Sequence, residues 1–424
     1  MQAPRPFRGM RDILPGEKDL RLSALERIRS AYQSHGFFEI ETPMVESLEA
    51  LSGAGGDENE KLMFKVLKRG DKLNIDESSE EADLVDGALR YDLTVPLARF
   101  YAINQSKLPR PFYSMQLGPV FRAERPQRGR FRQFTQADID VLGDPTFLAE
   151  VQLLVAATAA LHALGIEGFE IRLNDRRLLE GILLHHGIEE PMWQPVMVAL
   201  DKLDKVEAAA VARELEERGL SEAQARELLD NLDRLQGSAD LGALVEYGVA
   251  ADVAEWILQI QRHVARSVRD VAVVFDPLTV RGLAYYTSTV YELVHPSWTG
   301  SIGGGGRYDR LLERFGVDFP ACGISLGFER VVGLIEELGL PVRSGKRRLT
   351  VIFDPQSQSA EALSSARHFR RDGYCVTLLA HPSGARSPMK RIALAAEELK
   401  AEGSRDSFYH LTLGVDHEPR LLIH

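Results

Sequence analysis

The sequence predicts an α+β fold, a mixed helix-and-strand body followed by a small α/β domain. Three observations carry this. Residues 1–165 mix helical and strand patterns, with strand-like segments near 111–122 and 131–142 on either side of the turn RPQRGR. Residues 200–268 alternate acids, bases and Leu or Ala at helical spacing, as a helical block inserted in the chain would. Beyond residue 348, strand and helix patterns alternate as β-α-β-α-β, which implies a parallel or mixed sheet.

The elements follow in order. Residues 18–35 have helical spacing, with Leu20, Leu22, Leu25, Ile28 and Tyr32 expected on one broad face. FFEIETPMV alternates and reads as a strand ended by Pro43. DKLNIDESSEEADLVDG carries seven acidic residues against one lysine and reads as an exposed loop or hairpin tip. In the helical block, Ser221-Glu222 marks a helix start, just after Gly219 ends the preceding helix. VAVVFD and STVYELV resume the strand pattern. Near 340–347 Gly, Pro and Ser beside a short basic run mark a linker. After it, LTVIFD, YCVTLLA and FYHLTLGV read as strands. SAEALSSARHFRRDG and PMKRIALAAEELKAEG read as the helices between them.

Composition narrows the class. The chain has 424 residues and a formal net charge of −11, a length that suggests two to four domains. Hydrophobic residues make up 44% and charged residues 27%, which excludes a mostly disordered chain. No run of about 18 apolar residues occurs, so no spanning helix and no membrane partner is expected. The N-terminal stretch lacks the apolar core of a secretory signal, and a cytoplasmic location is expected. Cys322 and Cys375 are the only cysteines, too few for a disulfide framework or a multi-cysteine zinc site. The acidic balance argues against a protein that coats nucleic acid non-specifically.

Four stretches can carry chemistry. FRAERPQRGRFRQFTQADID, 121–140, holds Arg122, Arg125, Arg128, Arg130 and Arg132. In its second strand Arg130, Arg132, Phe134, Gln136, Asp138 and Asp140 share one parity. A face with guanidiniums, an amide and two carboxylates is costly unless it lines a wet pocket. Arginine holds phosphate oxygens bidentately, and acids beside it can hold an amine. A nucleotide together with a zwitterionic amino acid suits both halves. RGLAYYTSTVYE, 281–292, sets one Arg before a Gly and two tyrosines; a turn leading into an aromatic strand is the plainer reading. SIGGGGRYDRLLERFG, 301–316, has four consecutive glycines, which allow close approach to a ligand. It lacks the Lys-Ser/Thr pair of a phosphate loop, and a buried strand against which a flat ligand packs fits equally. In ACGISLGFERVVGLI, 321–335, Glu329-Arg330 reads by default as a surface ion pair. An Arg at that helix start could instead meet a triphosphate.

In this order the stretches strongly resemble the histidyl-tRNA synthetases, class II aminoacyl-tRNA synthetases, over roughly residues 5–335. GMRDILPGE is similar to that family's N-terminal signature. GFFEIETPMVE resembles class II motif 1, which builds a dimer interface around its proline, here Pro43. FRAERPQRGRFRQFTQADID resembles motif 2, and GISLGFERV motif 3. RGLAYYT and SIGGGGRYD resemble the two stretches peculiar to histidine-specific members. LNDRRLLEG and ALDKLDK match segments around the family's helical insertion. The resemblance implies an antiparallel-sheet catalytic domain at 1–335 with a helical insertion at 175–268. A linker at 336–347 and an anticodon-binding-like α/β domain at 348–424 would follow.

The resemblance also implies roles. Arg122, Arg281 and Arg330 would be the catalytic arginines. Arg122 would hold the ATP α-phosphate, and Arg130 and Arg330 the β/γ end, with Glu124 on the adenine or ribose side. Arg281 would sit at the α-phosphate and the histidine carboxylate, taking over part of a job that other class II enzymes give to metal. Asp92, Thr94 and Gln136 would bind the substrate amine. Asp140 and Tyr286 would read the imidazole, with Tyr285 and Tyr308 close by. Arg125 and Gln127 would approach the tRNA acceptor end. The implied cofactors are ATP and Mg2+, with no metal ligands assigned. The implied partners are L-histidine, tRNA(His) and a second copy in a homodimer.

The implied reaction suits these residues. The histidine carboxylate is already an anion when it attacks the α-phosphorus, so no general base is required. The site must orient the reactants and stabilise charge on the phosphate. The sequence departs from the family at Ala284, where many members have Asp, and in a longer acidic loop at 71–86. It also lacks the usual Lys/Gln-rich second helix and Gly-Glu-x-Glu stretch of the C-terminal domain. A histidine-sensing regulatory subunit of histidine biosynthesis, or an adenylating enzyme with a non-tRNA acceptor, are the alternatives. Retention of Arg122, Arg130, Arg281 and Arg330 favours the ligase.

Charge is unevenly spread. From Arg343 onward 13 basic and 9 acidic residues leave a net of +4, so the rest carries −15. Stretch 121–132 is itself +4, from five arginines and one glutamate. The total excludes a non-specific coat and leaves room for chosen contacts with nucleic acid.

Overall fold

A computed structural model describes residues 5–52, 61–73, 80–126, 129–200, 202–203, 206–236, 241–279, 286–342, 345–381, 388–401 and 406–423. The chain divides into two compact units, Met1–Arg11 with Arg27–Leu340, and Asp12–Glu26 with Pro341–His424.

The strands of the first unit are, in chain order, β1 (Phe38–Glu39), β2 (Val45–Glu46), β3 (Phe64–Leu67), β4 (Val85–Leu89), β5 (Phe112–Phe121) and β6 (Gln133–Leu142). They continue with β7 (Glu170–Asp175), β8 (Ala272–Phe275), β9 (Thr289–Val294), β10 (Ser301–Arg307) and β11 (Ala321–Gly327). An eight-stranded sheet runs in the order β1-β5-β6-β11-β10-β9-β7-β8. Its pairs are antiparallel except β1 with β5 and β7 with β8. The expected strands at 111–122 and 131–142 form its longest hairpin, β5–β6. The helix Leu148–Ala163, apolar almost all round, packs against β6 and β11 and is buried along most of its length, as such a helix must be.

Two readings need correction here. FFEIETPMV is not one strand. β1 stops at Glu39, and Val45–Glu46 pairs with β4 in a separate sheet, β2-β4-β3. The break is held by Arg90, whose buried guanidinium donates to Thr42 O at 2.6 Å and to Pro119 O at 2.9 Å. In the helix Pro15–Ser34, Leu20, Ala24, Ile28 and Tyr32 are buried while Leu22 is 50% exposed. Residues four apart stack along a helix, and Leu22 lies two positions off that row. The acidic stretch 71–87 does join two strands, β3 and β4, and its end is β4 itself.

The inserted block consists of helices Arg176–His185, Glu190–Leu200, Ala208–Glu217, Glu222–Leu235, Leu241–Glu246 and Ala251–Ser267. They share a core that includes Leu178, Leu215, Leu228 and Ile257. Ser221 caps the fourth: its side chain accepts from Gln224 N while the Gln224 side chain accepts from Ser221 N. Gly219, with φ +108°, turns the chain out of the helix before it.

The second unit holds β12 (Arg347–Phe353), β13 (Tyr374–Ala380), β14 (Ser407–Thr412) and β15 (Arg420–Ile423), with helices Ser359–Arg371 and Met389–Ala401 between strands. The order is β13-β12-β14-β15; β12 is parallel to both neighbours and β15 antiparallel to β14. Leu349, Val351, Ala362, Leu411 and Leu413 form its core. β15 was not expected: four residues, largely exposed, leave no periodic signal. Arg348 pairs with buried Asp406 and, at 3.0 Å, with Asp19 of the same unit.

Candidate active site

The site is built on β6. Opposite Gln136, Asp138 and Asp140 stand Gly118, Gln116 and Ser114 of β5 on one side, and Gly327, Ser325 and Gly323 of β11 on the other. All but Gln116, which is tied to Thr42 and to Leu93 O, are small and leave the three polar side chains their room. A Cβ on Gly323 would fall onto Asp140 Oδ1, and one on Gly306 would meet the Tyr286 ring at 2.8 Å. The four-glycine run is therefore strand, not phosphate loop: it is the core of β10, and Gly303 and Gly304 border the cavity.

That cavity holds about 240 Å³. Arg122, Glu124, Arg130, Gln136 and Arg330 all line it. Arg122 donates from Nε to Tyr91 O at 2.9 Å and lies over the Phe134 ring at 5.2 Å, which fixes its reach. Glu124 sits 3.8 Å from Arg130. Arg330, in the first turn of the helix Phe328–Glu337, donates to Ser301 O. Glu329 turns elsewhere, accepting from Thr135 N at 3.2 Å and facing Arg11 at 3.6 Å. The expected surface pair Glu329-Arg330 is thus corrected. Consecutive residues on a helix point about 100° apart, and each finds its own partner.

The inner end of the site is acidic. Asp138 and Asp140 are 3% and 2% exposed. Tyr308 donates to Asp140 Oδ1 at 2.6 Å. Asp92 accepts from Val95 N at 3.2 Å, at the start of the helix Thr94–Asn104. Burial pushes the Asp92 carboxyl up to about 6, against the pull of that amide, Arg122 and Arg90. Burial pushes Asp140 up to about 7, opposed by the Tyr308 bond and reinforced by Asp92. Asp138 is raised well above the usual carboxylate range by burial and then by Asp140. The Tyr286 hydroxyl is raised too, by burial and then by Asp138, Asp140 and Asp92. Among the described residues Gln136 Oε1, Asp138 Oδ1 and Asp140 Oδ2 are buried acceptors with no hydrogen-bond partner, as are the buried hydroxyls of Tyr32 and Ser114. An acidic, donor-starved end beside an arginine-lined end can take a cation and an anion side by side.

The expected residues divide as follows. Arg122, Glu124, Arg130, Gln136 and Arg330 share the cavity wall. Asp92, Asp140, Tyr286 and Tyr308 share the acidic end. Thr94 is half-buried and Arg125 is exposed. Gln127, Arg281, Ala284 and Tyr285 lie outside the described residues. The sequence places Phe134 and Asp138 on the pocket-facing parity without giving either a role of its own, and it does not point to Ser325 or Arg11. For Asp138 the signal was present, in its shared parity with Gln136 and Asp140. Arg11 had none, because its partner is more than three hundred residues away.

The geometry agrees with comparisons to known proteins. Residues 9–331 match the family model described as histidyl-tRNA synthetase. A histidine–tRNA ligase of Leifsonia xyli is 42% identical over 405 residues, 92% of this chain and 93% of that protein. One of Aeropyrum pernix is 36% identical over 95% of this chain and 91% of its own. Among solved structures, histidyl-tRNA synthetase from Nostoc sp. PCC 7120 superposes with a TM-score of 0.73 at 29% identity, covering 96% of this chain and 91% of that one. A Bacillus halodurans protein described as an ATP phosphoribosyltransferase regulatory subunit/histidyl-tRNA synthetase reaches a TM-score of 0.75 at 20% identity, over 97% of this chain and 99% of that one, a likeness of fold alone. With motif, site and match in agreement over most of its length, the chain belongs to the histidyl-tRNA synthetase family.

Proposed function

We propose that this protein activates L-histidine with ATP to histidyl-adenylate and transfers the histidyl group to tRNA(His). The observation that carries the reading is the junction of two unlike ends in one site. Three arginines border the cavity, and beside them three buried carboxylates meet two tyrosines. The histidine carboxylate attacks the α-phosphorus and pyrophosphate leaves. Arg122 stabilises the charge that grows on the α-phosphate oxygens, while Arg130 and Arg330 hold the leaving end. Arg281 joins them at the α-phosphate and the substrate carboxylate. Asp92, Thr94 and Gln136 hold the ammonium group. Asp140 and Tyr286 pair with the ring nitrogens, with Tyr308 and Tyr285 in support. A site that pairs polar groups of its ligand rejects analogues lacking them by about 10⁴-fold.

Mg2+ is bound in such sites by one or two carboxylates together with substrate phosphates. Glu329, on the cavity wall, is the carboxylate that would hold it, with Glu124 kept for the adenine or ribose side. When bound it neutralises phosphate charge. Arg125, exposed at the motif-2 turn, and Gln127 meet the tRNA acceptor end. The catalytic part is 1–335 with its insertion at 175–268, and 348–424 serves as the anticodon-binding-like domain. A homodimer is supported by the apolar surface at edge strand β1 and the following segment, where Phe38, Met44 and Val45 are exposed. Among the described residues no helix is long and apolar enough to cross a membrane, and a cytoplasmic location suits the reaction.

Histidine-dependent ATP–pyrophosphate exchange tests the first step. Exchange with histidine and not with other amino acids is expected. A folded protein that catalyses none would sink the reading. Arg281→Ala is expected to abolish exchange without altering the melting temperature.

A further inference from the structure

We propose that Asp138 is a further substrate-binding residue, the counter-ion for the α-ammonium group of the amino acid, acting with the Gln136 amide beside it. This rests on the reading of the protein as a histidine-activating enzyme and assigns a residue beyond Asp92, Thr94 and Gln136.

Asp138 is 3% exposed and its Oδ1 has no hydrogen-bond partner. It stands between two residues with the same deficit, Gln136 at Oε1 and Asp140 at Oδ2. Two residues along a strand advance about 6.7 Å on one face. The three orphaned acceptors therefore form a row, with Asp138 one step from each. Leaving buried acceptors unmet is costly, so a row of them marks a place where a ligand brings donors. An ammonium group is all donor. The ring end of the row is already engaged by Tyr308 on Asp140; at the other end Gln136 lines the cavity, and Asp138 stands one step behind it on the same face.

The local hydrogen bonds point the same way. Gln136 Nε2 donates to Ser325 Oγ at 3.0 Å and lies 3.5 Å from Asp138 Oδ2. Gln136 Nε2 thus faces Ser325 and Asp138, and its carbonyl oxygen is left as an acceptor. Gln136 and Ser325 both line the cavity. The groups acting on Asp138 are Asp140, on its own strand, Ser325 on β11, and Asp92 and Arg122 from the segments beside them; Tyr286, Tyr32 of the N-terminal helix and Arg90 feel its charge in turn. Burial and the neighbouring acids hold Asp138 toward its neutral form, against Ser325 and Arg122. An arriving ammonium favours the carboxylate and expels a proton.

Two histidine analogues separate the ends of the site. Histidinol keeps the amine and the ring; imidazolepropionate keeps the ring and lacks the amine. In Asp138→Asn, the histidinol dissociation constant is expected to rise at least tenfold while that of imidazolepropionate stays within twofold. In exchange, KM for histidine should rise more than kcat falls. Parallel weakening of both analogues, or unchanged histidinol binding, would overturn the assignment. If the variant does not fold, calorimetry of Asp92→Asn, which removes the other acid assigned to the amine, in two buffers of different ionisation enthalpy decides. Greater proton release with histidinol than with imidazolepropionate in that variant supports Asp138, and equal release overturns it. Wild-type exchange is the control: its absence removes the functional reading itself, whereas normal exchange with unaltered discrimination in the variant removes only the role of Asp138.

Discussion

At the scale of single residues the account rests on arginines that meet phosphate and carboxylates that meet cations. Arg122 is held by Tyr91 O and the Phe134 ring, so its guanidinium is already oriented for the phosphate we propose it meets. Removing one such oriented donor costs about 10²–10³ in rate. Arg122→Ala should lower exchange by that amount in kcat, with KM for histidine changed far less. The acids carry a pH signature. Asp92 and Asp140, raised to about 6 and about 7, bind protons in the folded chain that the unfolded chain has already lost. Their contribution to stability is full below about pH 4 and is lost as pH rises through 6–7. Asp140→Asn should remove part of that slope: between pH 5 and pH 8 the wild type's melting temperature should fall relative to the variant's. An unchanged difference would show that Asp140 titrates normally. Away from the site, Arg307 and Glu150 form a buried pair at 2.7 Å, with Glu150 fully buried. Arg307→Met should cost about 3–5 kcal/mol in urea unfolding by stranding that carboxylate. Pairing it with Glu150→Leu should restore most of the loss.

At the scale of elements, strands were legible where side chains alternate and turns are marked. The β5–β6 hairpin appeared at its expected place because RPQRGR separates two alternating runs. Parity on β6 then delivered Gln136, Asp138 and Asp140 to one face, though it assigned Asp138 no separate role. The segment FFEIETPMV failed because its break is imposed by Arg90, a partner distant in sequence. Leu22 failed because a broad apolar stripe hides which row of the helix is buried. Glu329 failed because a neighbour in sequence was preferred to Arg11 and Thr135, which only the fold brings close. Ser221, by contrast, was legible as a cap because capping is local. Ser221→Ala should cost about 1 kcal/mol in equilibrium unfolding. The glycine pattern of β11 sets the depth of the site. In Gly323→Ala a new Cβ displaces the Asp140 carboxylate. A misplacement of about 1 Å can cost about a hundredfold, so KM for histidine should rise on that order while ATP binding persists.

At the scale of the whole molecule, the charge of −11 is a sum over unlike parts. The acids are spread through the catalytic part and its insertion. The residues from Arg343 onward are net positive, and so is the motif-2 stretch. Such a chain touches nucleic acid at a few places rather than coating it. That residues 12–26 cluster with the C-terminal strands could not be read from local pattern, since the ties run from Asp19 to Arg348 and Lys346, across most of the chain. The measurement that tests the central claim most directly is transfer of labelled histidine to a tRNA(His) transcript in the presence of ATP and Mg2+. Charging should be stoichiometric in the wild type, with an initial rate about 10²–10³-fold lower in Arg122→Ala. Histidine-dependent pyrophosphate exchange without any charging of the transcript would contradict it.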